Sequence, residues 1–214
     1  MRTPAINLVL EETISRQRLG RYLTATGGEL DAALALYERN FRISEAFYTP
    51  LQCLEICVRN RFNDVLCATY GADWFQNGNP HLGPDALAMI AGAVAQLGQA
   101  RKPVTTGAIV AELSFGFWVG LVGPRYDHTL WRTALHRAFQ QPLRRKLVHG
   151  RLNALRRFRN RIAHHEPIWF RPLWSAHDEI VEAIGWLSPA TSAWTLHHSR
   201  VPEVLRAERV APLP

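Results

Sequence analysis

Arg159, Asn160, His164 and His165 lie in the segment 157–167, which reads RFRNRIAHHEP. A guanidinium binds and neutralises a phosphate. An imidazole titrates near neutral pH and can give or take a proton. The two together are the parts needed to cleave RNA without a metal, because RNA carries its own nucleophile in the ribose 2′-OH. Spacing alone does not single this segment out. With 23 arginines and nine histidines in 214 residues, an Arg-x4-His pair arises by chance roughly once. A second copy indeed runs from Arg144 through Arg145 and Lys146 to His149.

Two features separate the copies. Asn160 follows Arg159 directly and stands four residues before His164, on the same helical face, where its amide could orient the imidazole. Glu166-Pro167 comes at once after the histidines, and a residue before proline is pushed out of helical geometry. His164 and His165 are therefore expected at a helix C-terminus, a place the helix dipole also favours for histidine without any chemistry. Arg159 and His164 are five residues apart, about 140° around an ideal helix. Either the helix distorts before Pro167, or two copies of the segment face each other across a symmetric dimer, the solution preferred here.

The elements that must position these residues carry an uneven charge. Between Arg137 and Arg161 there are nine basic residues and no acidic one. The net charge is +7, so the rest of the chain carries −2, seven minus nine. Such a stripe is a footprint for polyanions, and Arg144, Arg145, Arg156, Arg157 and Arg161 are candidate RNA contacts. The alternative is a solvated helix face, since arginine is a good helix former. Glu55 and Arg59 form an i,i+4 pair followed by Asn60: a surface ion pair, or a carboxylate that orients an arginine in support of the site.

Apolar residues make up 47% of the chain, ample for one domain over 1–200, with a tail over 201–214 that shows no periodic pattern. Cys53, Cys57 and Cys67 are odd in number. Without a disulfide-like framework or a signal-type N-terminus they point to a reducing cytoplasm. Metal-ligand spacings and phosphate-binding glycine loops are missing from the sequence, so no cofactor or metal is expected.

No stretch alternates as a strand does, and the periodicity predicts an all-α helical bundle with additional helices. Helices are expected over 8–23, from Glu29, and from Thr49-Pro50 to Gly71. The next is opened by Pro84. The segment 107–122, GAIVAELSFGFWVGLV, is the most apolar. It is read as one buried central helix too short to span a bilayer, with Gly116 and Gly120 allowing another helix close. Asp127 to Phe139 is expected as a further helix. Pro142 opens the basic helix, with Leu143, Leu147, Leu152, Leu155, Phe158 and Ile162 facing inward. Ser175 caps a further helix, and Pro189 begins a last one through Trp194. Trp169 and Trp194 are candidate platforms for bases, although a place in the core suits either.

The segments LYERN (36–40), Leu54-Glu55 with Arg59-Asn60, AELSFGFW (111–118), Leu130-Trp131-Arg132 and RNRIAHHEP (159–167) together resemble the bacterial abortive-infection (Abi-like) proteins of the HEPN superfamily. The resemblance covers about 15–200. That superfamily's motif is an arginine, a polar residue, then a histidine after a short gap. Arg159, Asn160 and His164 match it, with His165 as an equally acceptable histidine. The resemblance implies a helical bundle that dimerises to build a composite site, with metal-independent endoribonuclease activity in many members. It also implies phage-defence or toxin roles, with a possible antitoxin or phage-derived trigger. Some members only bind. A non-catalytic RNA- or nucleotide-binding or phage-sensing module is thus the second expectation, and a helical domain facing an acidic protein partner the third.

Overall fold

The structure is a computed structural model and describes residues 2–76, 78 and 80–210. Among those residues it is all-α: ten α-helices with three short irregular helical turns and no strand. The helices are α1 (Pro4–Ile14), α2 (Arg16–Ala25), α3 (Leu30–Tyr70), α4 (Pro84–Gln99), α5 (Thr106–Glu112), α6 (Phe115–Gly120), α7 (Arg145–Ala163), α8 (Leu173–Leu187), α9 (Pro189–His198) and α10 (Val201–Val210). Among the described residues, no helix is long and apolar enough to cross a membrane.

The helix expected over 8–23 is two helices. Ser15 separates α1 from α2 with a φ of 80° and caps α2, its Oγ accepting from the Arg18 N–H over 3.2 Å. This is an N-cap role that serine fills readily. Conversely, the two helices expected to meet at Thr49-Pro50 are one, with Pro50 inside α3 at the loss of one backbone hydrogen bond. The apolar segment 107–122 is split into α5 and α6, because Leu113 is extended (φ −66°, ψ 126°) and Ser114 opens the second helix. A Cβ at Gly116 would meet Ser114 Oγ at 3.5 Å and Arg156 Cδ at 3.8 Å, ordinary contact, and one at Gly120 nothing within 4 Å. Neither position needs glycine to make room for a neighbour. The helix expected over 127–139 is a π turn (Asp127–Trp131) and a 3₁₀ turn (Leu135–Ala138). On α7 the inward residues are Val148, Leu152, Leu155 and Ile162, while Leu147 is 49% exposed.

The chain divides into two compact units. The first comprises Met1–Thr49, Arg159–Asp178 and His198–Pro214. Its core is built on Leu19, Tyr22, Leu23, Ala33, Leu34 and Leu36, with Ile14, Tyr37 and Trp169 packed against them. Tyr22 and Tyr37 meet edge to face at 5.2 Å, a favoured aromatic geometry. The segment expected to be a patternless tail contributes α10, which buries Val201, Leu205 and Glu208. The Glu208 carboxylate accepts from Arg42 Nε at 2.7 Å and lies 3.4 Å from Arg39 Nε. A buried carboxylate needs such partners.

The second unit comprises Pro50–Phe158 and Glu179–His197. Its centre is aromatic: Trp74 stands 5.2 Å from Phe75, 6.4 Å from Phe117 and 6.3 Å from Trp118. The Trp74 indole donates to Asn63 Oδ1 over 3.1 Å. Cys57 is buried, and that burial pushes its thiol up to about 11, so it behaves as a small apolar residue.

Candidate functional site

The C-terminus of α7 closes on the expected residues. The last i→i−4 bond runs from the His164 N–H to the Asn160 carbonyl, 2.9 Å. His165 N–H then donates to Ile162 O (2.9 Å) and Glu166 N–H to Arg161 O (2.8 Å). These two bonds form the Schellman closure, which needs a left-handed residue where glycine is usual. Here that residue is His165, with φ 56°. Histidine is tolerated there better than most side chains, at roughly 1–2 kcal/mol. Both imidazoles are exposed.

The segment leaving the turn is also pinned. The side-chain Oδ1 of Asn40, a residue only 4% exposed, accepts from the Ile168 N–H at 2.7 Å and the Trp169 N–H at 3.1 Å. One amide oxygen on α3 thereby satisfies two successive donors that would otherwise be orphaned. Asn160, expected to orient His164 through its amide, contributes its backbone carbonyl instead. Among the described residues its side chain makes no hydrogen bond to either imidazole. The helix keeps its hydrogen bonding to His164, so Arg159 and His164 stay about 140° apart around it.

Against this turn lies a cleft of about 520 Å³, lined by Ser15, Gln17, Arg18, Arg21, Arg161, Glu166 and Pro167. Three guanidiniums face one carboxylate, an excess of two positive charges. Arg18 donates to the His164 carbonyl over 3.2 Å, and Arg161 pairs with Glu166 at 3.1 Å. The imidazoles do not line the cleft. They stand on the turn between two residues that do, Arg161 and Glu166. Three non-glycine residues among those described have positive φ, Ser15, Arg101 and His165; Ser15 lines the cleft and His165 belongs to the turn beside it. Strained backbone of this kind collects at functional sites.

Arg18 and Arg21 are absent from the candidates read off the sequence. Their signal is slight: two arginines at i and i+3 after a serine cap. They stand far from the motif in the chain, Arg18 being 146 residues before His164.

The second Arg-x4-His copy lies in the other unit and is used differently. Arg145 pairs with Asp127 at 3.1 Å and donates to the Val122 carbonyl at 3.0 Å. Desolvation pushes the Asp127 carboxyl up, but the hydrogen bond from Arg132 and the charges of Arg132, Arg145 and His128 outweigh it and hold the group below its ordinary value. His149 is half-buried. That burial, then the charges of Arg145 and Arg156, hold its imidazole below its ordinary value. Arg156 is turned to Asn153, whose Oδ1 accepts from its Nε and Nη at 3.2 and 3.0 Å. Arg144 and Arg157 are exposed.

The basic stretch therefore has acidic partners outside its own bounds: Asp127 for Arg145, Glu182 and Glu179 for Arg151, and, five residues further on, Glu166 for Arg161. The supporting trio Glu55, Arg59 and Asn60 belongs to the second unit. There Arg59 Nε donates to Asn60 Oδ1 over 3.1 Å. Trp169 is half-buried against the core of its unit, whereas Trp194 is 55% exposed. Set against protein-family models, curated proteins and solved structures, the chain matches none of them.

Proposed function

We propose that the protein is a metal-independent endoribonuclease of the HEPN type, acting as a cytoplasmic homodimer in phage defence or abortive infection, or as a toxin restrained by an antitoxin. The observation that carries this reading is the arginine cleft set against the strained histidine turn. Arg18, Arg21 and Arg161 bind backbone phosphates there. An imidazole takes the proton of a ribose 2′-OH, and the 2′-oxygen bonds to the adjacent phosphorus as the bond from phosphorus to the 5′-oxygen breaks. A protonated imidazole gives its proton to that leaving oxygen. The products are a 2′,3′-cyclic phosphate and a 5′-OH end.

His164 fills the base or acid role, with His165 the alternative on the same turn; each role contributes roughly 10²–10⁴ in rate. Two copies of His164 in a two-fold pair would supply one of each. The partner copy also brings an Arg159 to stabilise charge on the phosphate oxygens, which the angle along α7 denies within one chain. RNA incubated with the pure protein in EDTA should yield fragments with those two ends, and His164→Ala should remove the activity. Intact RNA would overturn the enzyme. One observation favours a second reading, a non-catalytic RNA-binding module: the imidazoles stand outside the cleft. RNA bound in the cleft without cleavage would establish that reading.

A further inference from the structure

A second cavity, of about 470 Å³, lies beside the arginine cleft in the same unit, lined by Arg21, Thr24, Ala25, Trp169 and Phe170. Arg21 lines both cavities. Phe170 leaves 44% of its surface in solvent, which gives up the burial that keeps phenylalanine in cores. Its ring is held in place all the same. The guanidinium carbons of Arg21 and Arg171 stand 5.2 and 5.4 Å from its centroid, within cation–π range. The Trp169 ring meets it edge-on at 5.5 Å and 83°. The Trp169 ring is packed on the core, and its backbone N–H donates to Asn40 Oδ1. A held, partly exposed aromatic ring with two guanidiniums over it is a surface on which an unstacked base can lie, against the open part of the ring or a guanidinium plane.

We infer that this cavity is a nucleobase subsite, in which a base of single-stranded RNA stacks on Phe170 while its own phosphate reaches the arginine cleft through Arg21. The inference rests on the reading of that cleft as an RNA site. Duplex RNA keeps its bases stacked and cannot offer one, so the substrate class is single-stranded or looped RNA. Stacking reads the π-face that every base has, so the subsite tolerates sequence.

The test is the affinity of the full-length protein for a single-stranded 2′-O-methyl oligonucleotide, which cannot undergo transesterification, and for an abasic oligomer with the same phosphates. Phe170→Leu keeps an apolar side chain without a π-face, and Phe170→Tyr keeps the face. Phe170→Leu should weaken binding of the base-bearing strand roughly tenfold, the order of one stacked base. It should leave abasic binding within twofold, and Phe170→Tyr should bind as the parent does. Equal loss for both oligomers, or no loss for either, overturns the subsite while leaving RNA binding in place. A parent protein that binds neither oligomer overturns the RNA reading and the subsite with it. Circular dichroism checks that both variants are folded.

Discussion

At 144–149 one guanidinium and the imidazole are turned to the fold: Arg145 is tied to Asp127 and to the Val122 carbonyl, and His149 is half-buried near Arg145 and Arg156. At 159–165 the same residue types and spacing meet a helix end. Two histidines are exposed there, one in a left-handed conformation, and three arginines face one carboxylate in the adjoining cleft. The difference comes from position along the helix rather than from composition. In mid-helix a histidine has neighbours on both sides, whereas past the last turn the backbone turns away and leaves it in solvent. Pro167 is what ends the helix where it does.

The largest test of that contrast is cleavage. His164→Ala combined with His165→Ala should slow single-turnover RNA cleavage by at least 10²-fold, and His149→Ala should change it by less than twofold. The reverse pattern would exchange the roles of the two copies. Stability should divide the other way. Arg145→Ala strips a charged donor from a partly buried carbonyl and should destabilise the fold by roughly 1–3 kcal/mol in urea unfolding. Arg161→Ala, whose ion pair is partly exposed, should cost no more than about 1 kcal/mol while weakening RNA binding and lowering its salt dependence by about one counterion.

Glycine at the two histidine positions should have opposite signs. His165→Gly relieves a left-handed side chain and should gain about 0.5–1 kcal/mol. His149→Gly, inside α7, should lose about 1 kcal/mol. Equal effects would mean that the turn is not strained.

The smallest effect is on pH. Burial and the two arginines hold His149 below its ordinary value, and burial does the same to His177 against the opposing pull of Asp178. Between the ordinary value near 6.5 and the lowered one, the unfolded chain binds more protons than the folded one. Their contribution is therefore complete above about pH 6.5 and shrinks as the pH falls below it. His149→Gln should flatten that acid limb in a melting-temperature series. An unchanged limb would place the proton uptake elsewhere, with His177 the first alternative.

Helical periodicity carried the fold class, and the proline after Glu166 located the helix end that holds both histidines. Boundaries were lost where one residue can serve two structures. Ser15 is an ordinary helix residue until it caps α2, and Pro50 signals a helix start yet lies within α3. Helix α10 escaped because its third inward position is Glu208. A carboxylate hides the apolar pattern, and its partners Arg39 and Arg42 lie more than 160 residues earlier. The arginine cleft escaped for the same reason: Arg18 and Arg21 are brought to the motif by the packing of α2, which leaves no mark on local spacing. The pairing of Arg145 and Arg151 was equally invisible, since the carboxylates that answer them lie 18 or more residues away, whereas Glu166 stands in the motif beside Arg161.

Surface turns between helices usually accept an added residue at little cost. The turn after α7 is fastened at both ends, by the closing bonds onto Arg161 and Ile162 and by Asn40 holding the Ile168 and Trp169 amides. Its length is therefore fixed as firmly as its residue types. One inserted residue between Ala163 and Ile168 would have to unfasten one end or bulge outward, and in either case it would move the histidines away from the arginines. Variation that explores new specificity can change side chains here, but it has to keep the count.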